Sequence, residues 1–127
     1  MKLSKDTKIL IVGLGLLGGS YATALTKKGY KVKALTRSQS SIDYALNAGI
    51  IADGKTGVDP DMIAEADLIV FSIYPKVLID WIEKNHSYIK PGTLLTDVTG
   101  VKCSTVYRIQ GLIPEGAEFI AAHPMAR

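Results

Sequence analysis

The stretch that decides the fold is Gly13-Leu14-Gly15-Leu16-Leu17-Gly18, a G-x-G-x-x-G pattern near the start of the chain. It directly follows Lys8-Ile9-Leu10-Ile11-Val12, an apolar, β-branched run that predicts a buried strand. After it, apolar side chains recur at helical spacing as far as Leu25, and Lys27-Lys28-Gly29 predicts the end of that helix. The glycines therefore lie where a strand passes into a helix within about 30 residues, the context in which this common pattern becomes informative.

Each glycine of the stretch has its own physical task. Gly13 permits a tight turn, Gly15 lets the backbone approach a pyrophosphate, and Gly18 lets the helix pack closely on the strand. The N–H groups at the start of the helix, which include those of Leu16 and Leu17, are then available to phosphate oxygens. We therefore predict a nucleotide-binding Rossmann domain that holds NAD or NADP. The alternative is a structural turn in an α/β protein that binds no nucleotide.

The remainder of the chain continues to alternate between strand and helix patterns. After the first strand at 8–12, further strands are predicted at 31–35, 50–51, 67–73, 93–98 and 117–121. Helices are predicted over 16–28, 40–47, 60–66, 101–109 and from 75 onward, whereas 53–57 is predicted to be a loop. This order predicts one α/β domain over residues 1–127, with a doubly wound parallel sheet of about six strands arranged 3-2-1-4-5-6.

Composition and hydropathy exclude several classes of protein. The chain has 127 residues, of which 47% are hydrophobic and 21% charged, values that are ordinary for a soluble globular domain. No apolar run approaches the roughly 20 residues that span a bilayer, and the first eight residues contain no signal-peptide core. The single cysteine, Cys103, excludes an internal disulfide, so we expect a cytoplasmic protein without a membrane partner.

The net charge of +3 is unevenly distributed along the chain. Residues 1–40 hold eight of the 15 Lys and Arg residues but one of the 12 Asp and Glu residues. No aromatic interleaving or groove-reading motif accompanies this basic segment, so nucleic acid is not expected as a partner. A bound polyphosphate and a plain solvated lysine surface explain the bias equally well.

The end of the second predicted strand bears on the choice of cofactor. NAD sites usually carry Asp or Glu there, about 20 residues beyond the glycines, to accept a hydrogen bond from the ribose 2′-hydroxyl. This sequence has Thr36-Arg37-Ser38 instead, and the next carboxylate, Asp43, is predicted to lie inside the following helix. A guanidinium offers planar donors to a 2′-phosphate, and the two hydroxyls add further donors. We therefore expect NADP, with NAD as the alternative.

Three further segments follow predicted strands at the carboxyl edge of the sheet, where open α/β sheets bind their ligands. Ser72 and Tyr74 follow the fourth strand and are expected to flank the nicotinamide ribose. Asp97 and Thr99, at the tip of the fifth strand, are expected either to line the site or to cap the next helix. His123 follows the sixth strand, where an imidazole can act as a general base, although a lone histidine is more often structural.

Three motifs together resemble one dehydrogenase family. They are the glycine stretch continued to Ser20, then Asp97-Val98-Thr99-Gly100-Val101-Lys102, then His123-Pro124-Met125-Ala126. Many dehydrogenases share the first motif, but the combination is specific and similar to the N-terminal nucleotide-binding domain of prephenate/arogenate dehydrogenases. The resemblance covers essentially all of the chain.

This resemblance implies NADP-linked oxidative decarboxylation of prephenate or arogenate in tyrosine biosynthesis. The family's catalytic histidine corresponds to His123, which would accept the proton of the substrate's 4-hydroxyl group. Arginine and serine after the second strand occur in NADP-using members, in agreement with Arg37 and Ser38. The family often has a serine where this chain has Gly100, so Thr99 would have to supply that contact to the substrate.

The resemblance also implies a second, helical domain that forms a homodimer and builds much of the substrate pocket. That domain is absent from residues 1–127, so we expect the chain as given to bind NADP but to turn over little substrate. Two other functions remain open at this point. One is another NADP-dependent dehydrogenase, acting on β-hydroxyacids or imines, although the His-Pro-Met ending argues against it. The other is a nucleotide-sensing module without chemistry.

Overall fold

A computed structural model describes residues 6–98 and 101–121, which form a parallel six-stranded sheet with helices on both faces. The strands are β1 Lys8–Val12, β2 Lys31–Thr36, β3 Asp53–Thr56, β4 Leu68–Phe71, β5 Leu94–Asp97 and β6 Glu118–Ala121. The helices are α1 Leu16–Lys27, α2 Gln39–Asn47, α3 Pro60–Glu65, α4 Pro75–Asn85 and α5 Cys103–Leu112, and a 3-10 turn, His86–Tyr88, follows α4. The strand order β3-β2-β1-β4-β5-β6 confirms the predicted doubly wound Rossmann topology.

The core consists of two apolar layers, one on each face of the sheet. Along β1, Ile9 and Ile11 pack in the layer beneath α1 and α2, whereas Leu10 and Val12 pack in the layer beneath α3, α4 and α5. Because both faces are covered, β1 from Ile9 onward and the whole of β4 are continuously apolar instead of alternating. This is why the run before the first glycine predicts a buried strand so well.

The third strand is where the prediction was wrong. It was predicted at 50–51 with a loop over 53–57, but β3 runs over Asp53–Thr56. At the edge of the sheet formed by the described strands it pairs with β2 alone, through the register Lys33↔Asp53 to Thr36↔Thr56, and most of its residues are exposed. Its polar, turn-like residues are therefore held extended by backbone pairing, which overrides their weak strand propensity. Ile51 is apolar because it is buried beside β2 in the core, where it precedes the strand.

The helix before β6 also differs from its prediction. It was expected over 101–109, but α5 begins at Cys103 and continues to Leu112. Gly111 lies inside its last turn, although glycine usually signals a helix end. Ile109 and Ile113 are buried against the sheet, so packing carries the helix past the point where residue propensities would end it.

A charged cluster ties the amino ends of the central strands together. The Asp67 carboxylate accepts hydrogen bonds from the Lys90 ammonium at 2.6 Å and from the backbone N–H of Lys8 at 2.9 Å. The Lys90 ammonium also donates to the carbonyl of Glu65 at 3.3 Å. The hydrogen bond from Lys90, and next that from Lys8, lower the pKa of Asp67 from its ordinary value of 3.8.

Asp67→Asn is expected to reduce stability near neutral pH and to lose this effect in acid. A carboxylate whose pKa is lowered by folding stabilises the native state fully above its unfolded pKa, here 3.8, and progressively less as the pH falls through the lower folded value. The pair is partly exposed, so the neutral-pH loss should be about 1 kcal/mol or less. Urea unfolding between neutral and strongly acidic pH measures it.

Asp80→Asn is the control for net charge, since Asp80 is an exposed acid on α4. A difference between Asp67→Asn and the wild type that stays the same down to the lowest pH would contradict the role given to this ion pair.

Candidate functional site

The glycine stretch forms a tight loop pressed against the end of β4. Gly13 has φ +95°, a left-handed conformation that favours glycine. A Cβ at Gly13 would lie 2.6 Å from the carbonyl oxygen of Ser72 and 2.9 Å from Cγ2 of Ile73. Both constraints exclude a side chain, so glycine at this position is a requirement of the fold.

The third glycine sets where α1 begins. A Cβ at Gly18 would lie 2.1 Å from the carbonyl oxygen of Gly13 and 3.1 Å from Cβ of Ser72, so the helix starts directly over the loop. Gly15, the N-cap residue of α1, is exposed and has no atom within 4 Å of its virtual Cβ. The three glycines thus combine two close contacts with one open space, as the sequence predicts for a bound pyrophosphate.

The N-terminus of α1 opens toward that space with an electrostatic preference for anions. Gly15 provides no capping side chain, and the first turn contains no acidic residue. The backbone N–H groups of Leu16, Leu17 and Gly18 have no acceptor within the helix because they belong to its first turn. These donors and the positive end of the helix dipole suit a phosphate group.

Backbone hydrogen bonds gather the other predicted site residues at the same edge. The N–H of Gly13 donates to the carbonyl of Leu35 at 2.8 Å, and that of Ser72 donates to Val12 at 2.8 Å. The N–H of Val98 donates to Phe71 at 3.0 Å. The residues that follow β2 and β4 therefore stand next to the glycine loop, and Val98, which follows β5, stands beside the end of β4.

The end of β2 presents a cation to this edge. Arg37 is exposed, and in the part of the chain that the structure describes no ion pair involves it. Thr36 is half-buried, and the Ser38 hydroxyl accepts from the N–H of Ser41 at 3.3 Å as the N-cap of α2. Asp43 lies inside α2, as predicted, and accepts from the Gln39 side chain at 2.9 Å.

The residues at the ends of β4 and β5 differ in how deeply they are buried. Tyr74 is the N-cap residue of α4 and is 79% exposed, and Ser72 is half-buried beside Gly13. Asp97 is completely buried, with its carboxylate enclosed by protein. Its predicted contact with a cofactor stays a prediction, but the alternative that Asp97 caps α5 was wrong: the N-cap is Lys102, without a side-chain cap bond.

Two predicted residues, Thr99 and His123, lie outside the described residues, as does Gly100. Among the described residues, no cluster of three or more His, Cys, Asp or Glu side chains is arranged to hold a metal ion. No helix in the same part of the chain is long and apolar enough to cross a membrane.

A groove beside the phosphate loop was missed by the sequence reasoning. It encloses about 820 Å³ between α1 and α2, and its lining contains no acidic residue. It extends from Gly15 to Lys27 along α1, while Ser40, Ser41 and Tyr44 line it from α2. Small side chains spaced four apart on α1, at 15, 19 and 23, are the sequence signal that could have located it.

Comparisons with known proteins agree on one family. A family model described as prephenate dehydrogenase, nucleotide-binding domain, matches residues 21–126. Prephenate dehydrogenase of Bacillus subtilis is 33% identical over 99% of this chain and 34% of its own length. The enzyme of Lactococcus lactis is 29% identical over 94% of the chain and again 34% of its own length. The chain therefore spans about a third of these relatives.

Solved structures extend the likeness to three dimensions. Prephenate dehydrogenase from Aquifex aeolicus, in complex with hydroxyphenyl propionate and NAD+, has a TM-score of 0.80 at 25% identity, covering 94% of this chain and 42% of that one. Synechocystis arogenate dehydrogenase has a TM-score of 0.75 at 27% identity, covering 84% and 37%. A 3-hydroxyisobutyrate dehydrogenase from Mycobacterium tuberculosis has a TM-score of 0.76 at 19% identity, covering 91% and 39%, and shares the fold alone.

Gly18→Ala is expected to destabilise the domain by about 1–3 kcal/mol, because the added methyl group would overlap the Gly13 carbonyl. Gly19→Ala is the matched control. Its Cβ would lie 4.0 Å from the nearest atom, the Leu14 carbonyl oxygen, and alanine in a helix gains about 0.5–1 kcal/mol over glycine. Urea unfolding followed by fluorescence of Trp81, the single tryptophan, measures both. Equal stability of the two variants would contradict the close contact between α1 and the loop.

Proposed function

This chain belongs to the prephenate dehydrogenase family as its nucleotide-binding domain, and we propose that it binds NADP for the oxidative decarboxylation of prephenate or arogenate. The observation that carries the proposal is the combination at the phosphate loop. Gly13 and Gly18 are pressed against backbone carbonyls, while Gly15 leaves open space at an uncapped helix N-terminus. A dinucleotide pyrophosphate has the charge and the acceptor oxygens that this arrangement suits.

The preference for NADP over NAD is supported by the end of β2. Arg37 is exposed beside the loop. The next carboxylate along the chain, Asp43, lies within α2 and accepts a hydrogen bond from the Gln39 side chain. A guanidinium at this place is suited to a 2′-phosphate, with the hydroxyls of Thr36 and Ser38 as further donors. An acidic residue, which would repel that phosphate, is absent from this strand end.

The proposed chemistry takes place along the carboxyl edge of the sheet. NADP held at the glycine loop would supply the hydride acceptor for the ring carbon that bears the substrate's 4-hydroxyl group, in a reaction that would release carbon dioxide and make the ring aromatic. His123, which follows β6, is proposed to accept the hydroxyl proton, a contribution of about 10²–10⁴-fold to the rate. Thr99 is proposed to hydrogen-bond the substrate, since Gly100 has no side chain to do so. Ser72 and Tyr74 are proposed to flank the nicotinamide ribose.

The substrate choice and the assembly of the proposed enzyme involve more than this domain. Since the chain spans about a third of its relatives, we assign the choice between prephenate and arogenate to residues outside 1–127. We also propose that the two-domain form is a cytoplasmic homodimer. A β-hydroxyacid or imine dehydrogenase is not favoured, since such enzymes share only the fold, at 19% identity or less.

Arg37→Gln is expected to weaken NADP binding by about 10- to 100-fold, the loss that follows when charge-assisted hydrogen bonds worth about 1.5–3 kcal/mol are removed. NAD binding should change little, because NAD carries no 2′-phosphate. Titration calorimetry with each cofactor measures this. Arg108→Gln, which changes an exposed arginine on α5, is the matched control. Equal or tighter binding of NAD by the wild type would contradict the NADP preference.

His123→Asn is expected to lower kcat by about 10²–10⁴-fold, because asparagine cannot take the hydroxyl proton. Steady-state NADPH formation from prephenate and from arogenate, in a two-domain form of the enzyme, is the measurement. NADP affinity should be retained, which separates loss of chemistry from loss of folding. His86→Asn changes the other histidine, exposed at the end of α4, and serves as the control. An unchanged rate in His123→Asn would rule out this proton acceptor.

A further inference from the structure

A second cavity lies at the amino ends of β1 and β2, away from the glycine loop, which follows the carboxyl end of β1. It encloses about 240 Å³ between these two strands and the end of α3. The charged residues of its lining are Lys8, Lys31, Lys33 and Glu65. We call this cavity the lysine pocket, because three of its four charged residues are lysines.

The three lysines of the pocket lie on one face of the sheet. Lys8 and Lys31 are register partners on neighbouring strands, and Lys33 is two residues further along β2. Side chains two residues apart share a face, and Leu10 and Leu35 continue the same two rows into the core layer beneath α3. Like charges directly opposite each other on neighbouring strands are destabilising. The three cations therefore raise the free energy of the fold unless negative charge lies among them.

The lining itself supplies one negative charge. The Glu65 carboxylate, at the end of α3, is 2.5 Å from the Lys33 ammonium and 3.9 Å from that of Lys8. Within residues 6–98 and 101–121, Lys31 takes part in no ion pair. Two lysines thus share one carboxylate and the third has none, so the charged lining keeps a balance of two positive charges.

The acids on the neighbouring elements are engaged elsewhere. The Asp67 carboxylate lies 2.6 Å from the Lys90 ammonium, which balances its charge. Asp53, the register partner of Lys33 on β3, accepts from the N–H of Gly54 at 2.8 Å and has no ion pair with a described residue. Neither carboxylate lines the pocket. The excess positive charge of the pocket is therefore available to a ligand.

We propose that the lysine pocket binds a small dianion, either a phosphate group or a short dicarboxylate. Two negative charges match the charge balance of the lining. The volume equals that of about eight water molecules at about 30 Å³ each, which is enough for such an anion but too small for a dinucleotide. The pocket and the proposed cofactor site lie at opposite ends of β1, so this proposal does not rest on the binding of NADP.

Backbone amide chemical shifts of the 127-residue chain, measured by NMR at constant ionic strength, test the proposal. Inorganic phosphate at about pH 8, where phosphates carry close to two charges, should move the amides of Lys8, Lys31 and Lys33 to saturation. Malonate is the dicarboxylate arm, and the tighter of the two anions identifies the source. Phosphate that binds at the glycine loop is recognised separately by shifts at Gly15. Acetate, with one charge, should bind the lysine pocket at least about fivefold more weakly.

Two variants with opposite expected effects sharpen this test. Lys31→Gln, which breaks no ion pair between described residues, should weaken dianion binding about fivefold. Glu65→Gln removes the acid that competes for the lysines, so it should tighten binding by a similar factor. A merely structural role of these residues predicts no tightening. Lys84→Gln, at an exposed lysine on α4, is the matched control for net charge and should leave the affinity unchanged.

Thermal unfolding extends the test to a two-domain form of the protein. An anion that binds the folded state raises its Tm, so phosphate should raise the Tm of the wild type more than that of Lys31→Gln. Equal increases in the two proteins would overturn the proposal. The same holds if neither dianion gives saturable shifts at the three lysines, if acetate binds as tightly, or if Lys31→Gln keeps the full affinity.

Discussion

Because Gly13 and Gly18 are glycines without a side chain, α1 can begin directly over the loop that follows β1. A Cβ at Gly18 would overlap the carbonyl oxygen of Gly13, and a Cβ at Gly13 would lie 2.6 Å from the carbonyl oxygen of Ser72. This contact joins the first strand, the first helix and the end of β4 at one point. The position of the open helix N-terminus, and of every residue proposed to act beside it, depends on that close approach.

The parallel sheet determines which residues of the chain can come together to form a site. All six strands run in the same direction, so the residues that follow them meet at one edge. The loop beside Gly15 offers backbone donors and a helix dipole, and Arg37 brings a positive charge to the same edge. The opposite edge carries the ion pair of Asp67 with Lys90, which ties strand ends together. The proposed cofactor site and this stabilising ion pair thus lie at opposite ends of the strands.

The sequence predicted best those elements whose pattern follows from burial on both faces or from glycine geometry. β1, α1, β4 and the strand order were predicted correctly for this reason. β3 was misplaced because an edge strand of polar residues is held by pairing with β2, which leaves no periodic signal. The start of α5 and the burial of Asp97 were missed for a similar reason, since both depend on packing between segments distant in sequence.

By itself, the sequence determined the family, the Rossmann topology and the tight glycine turn between β1 and α1. These follow from local rules: glycine where a side chain cannot fit, apolar runs where both faces are covered, and a short motif at a strand-to-helix turn. Only the tertiary structure decided that Asp97 is enclosed, that a groove lies between α1 and α2, and that the Gln110 side chain accepts a hydrogen bond from the backbone of Phe119. The physical reason is that burial, cavities and side-chain hydrogen bonds across the chain arise from which elements are neighbours in space.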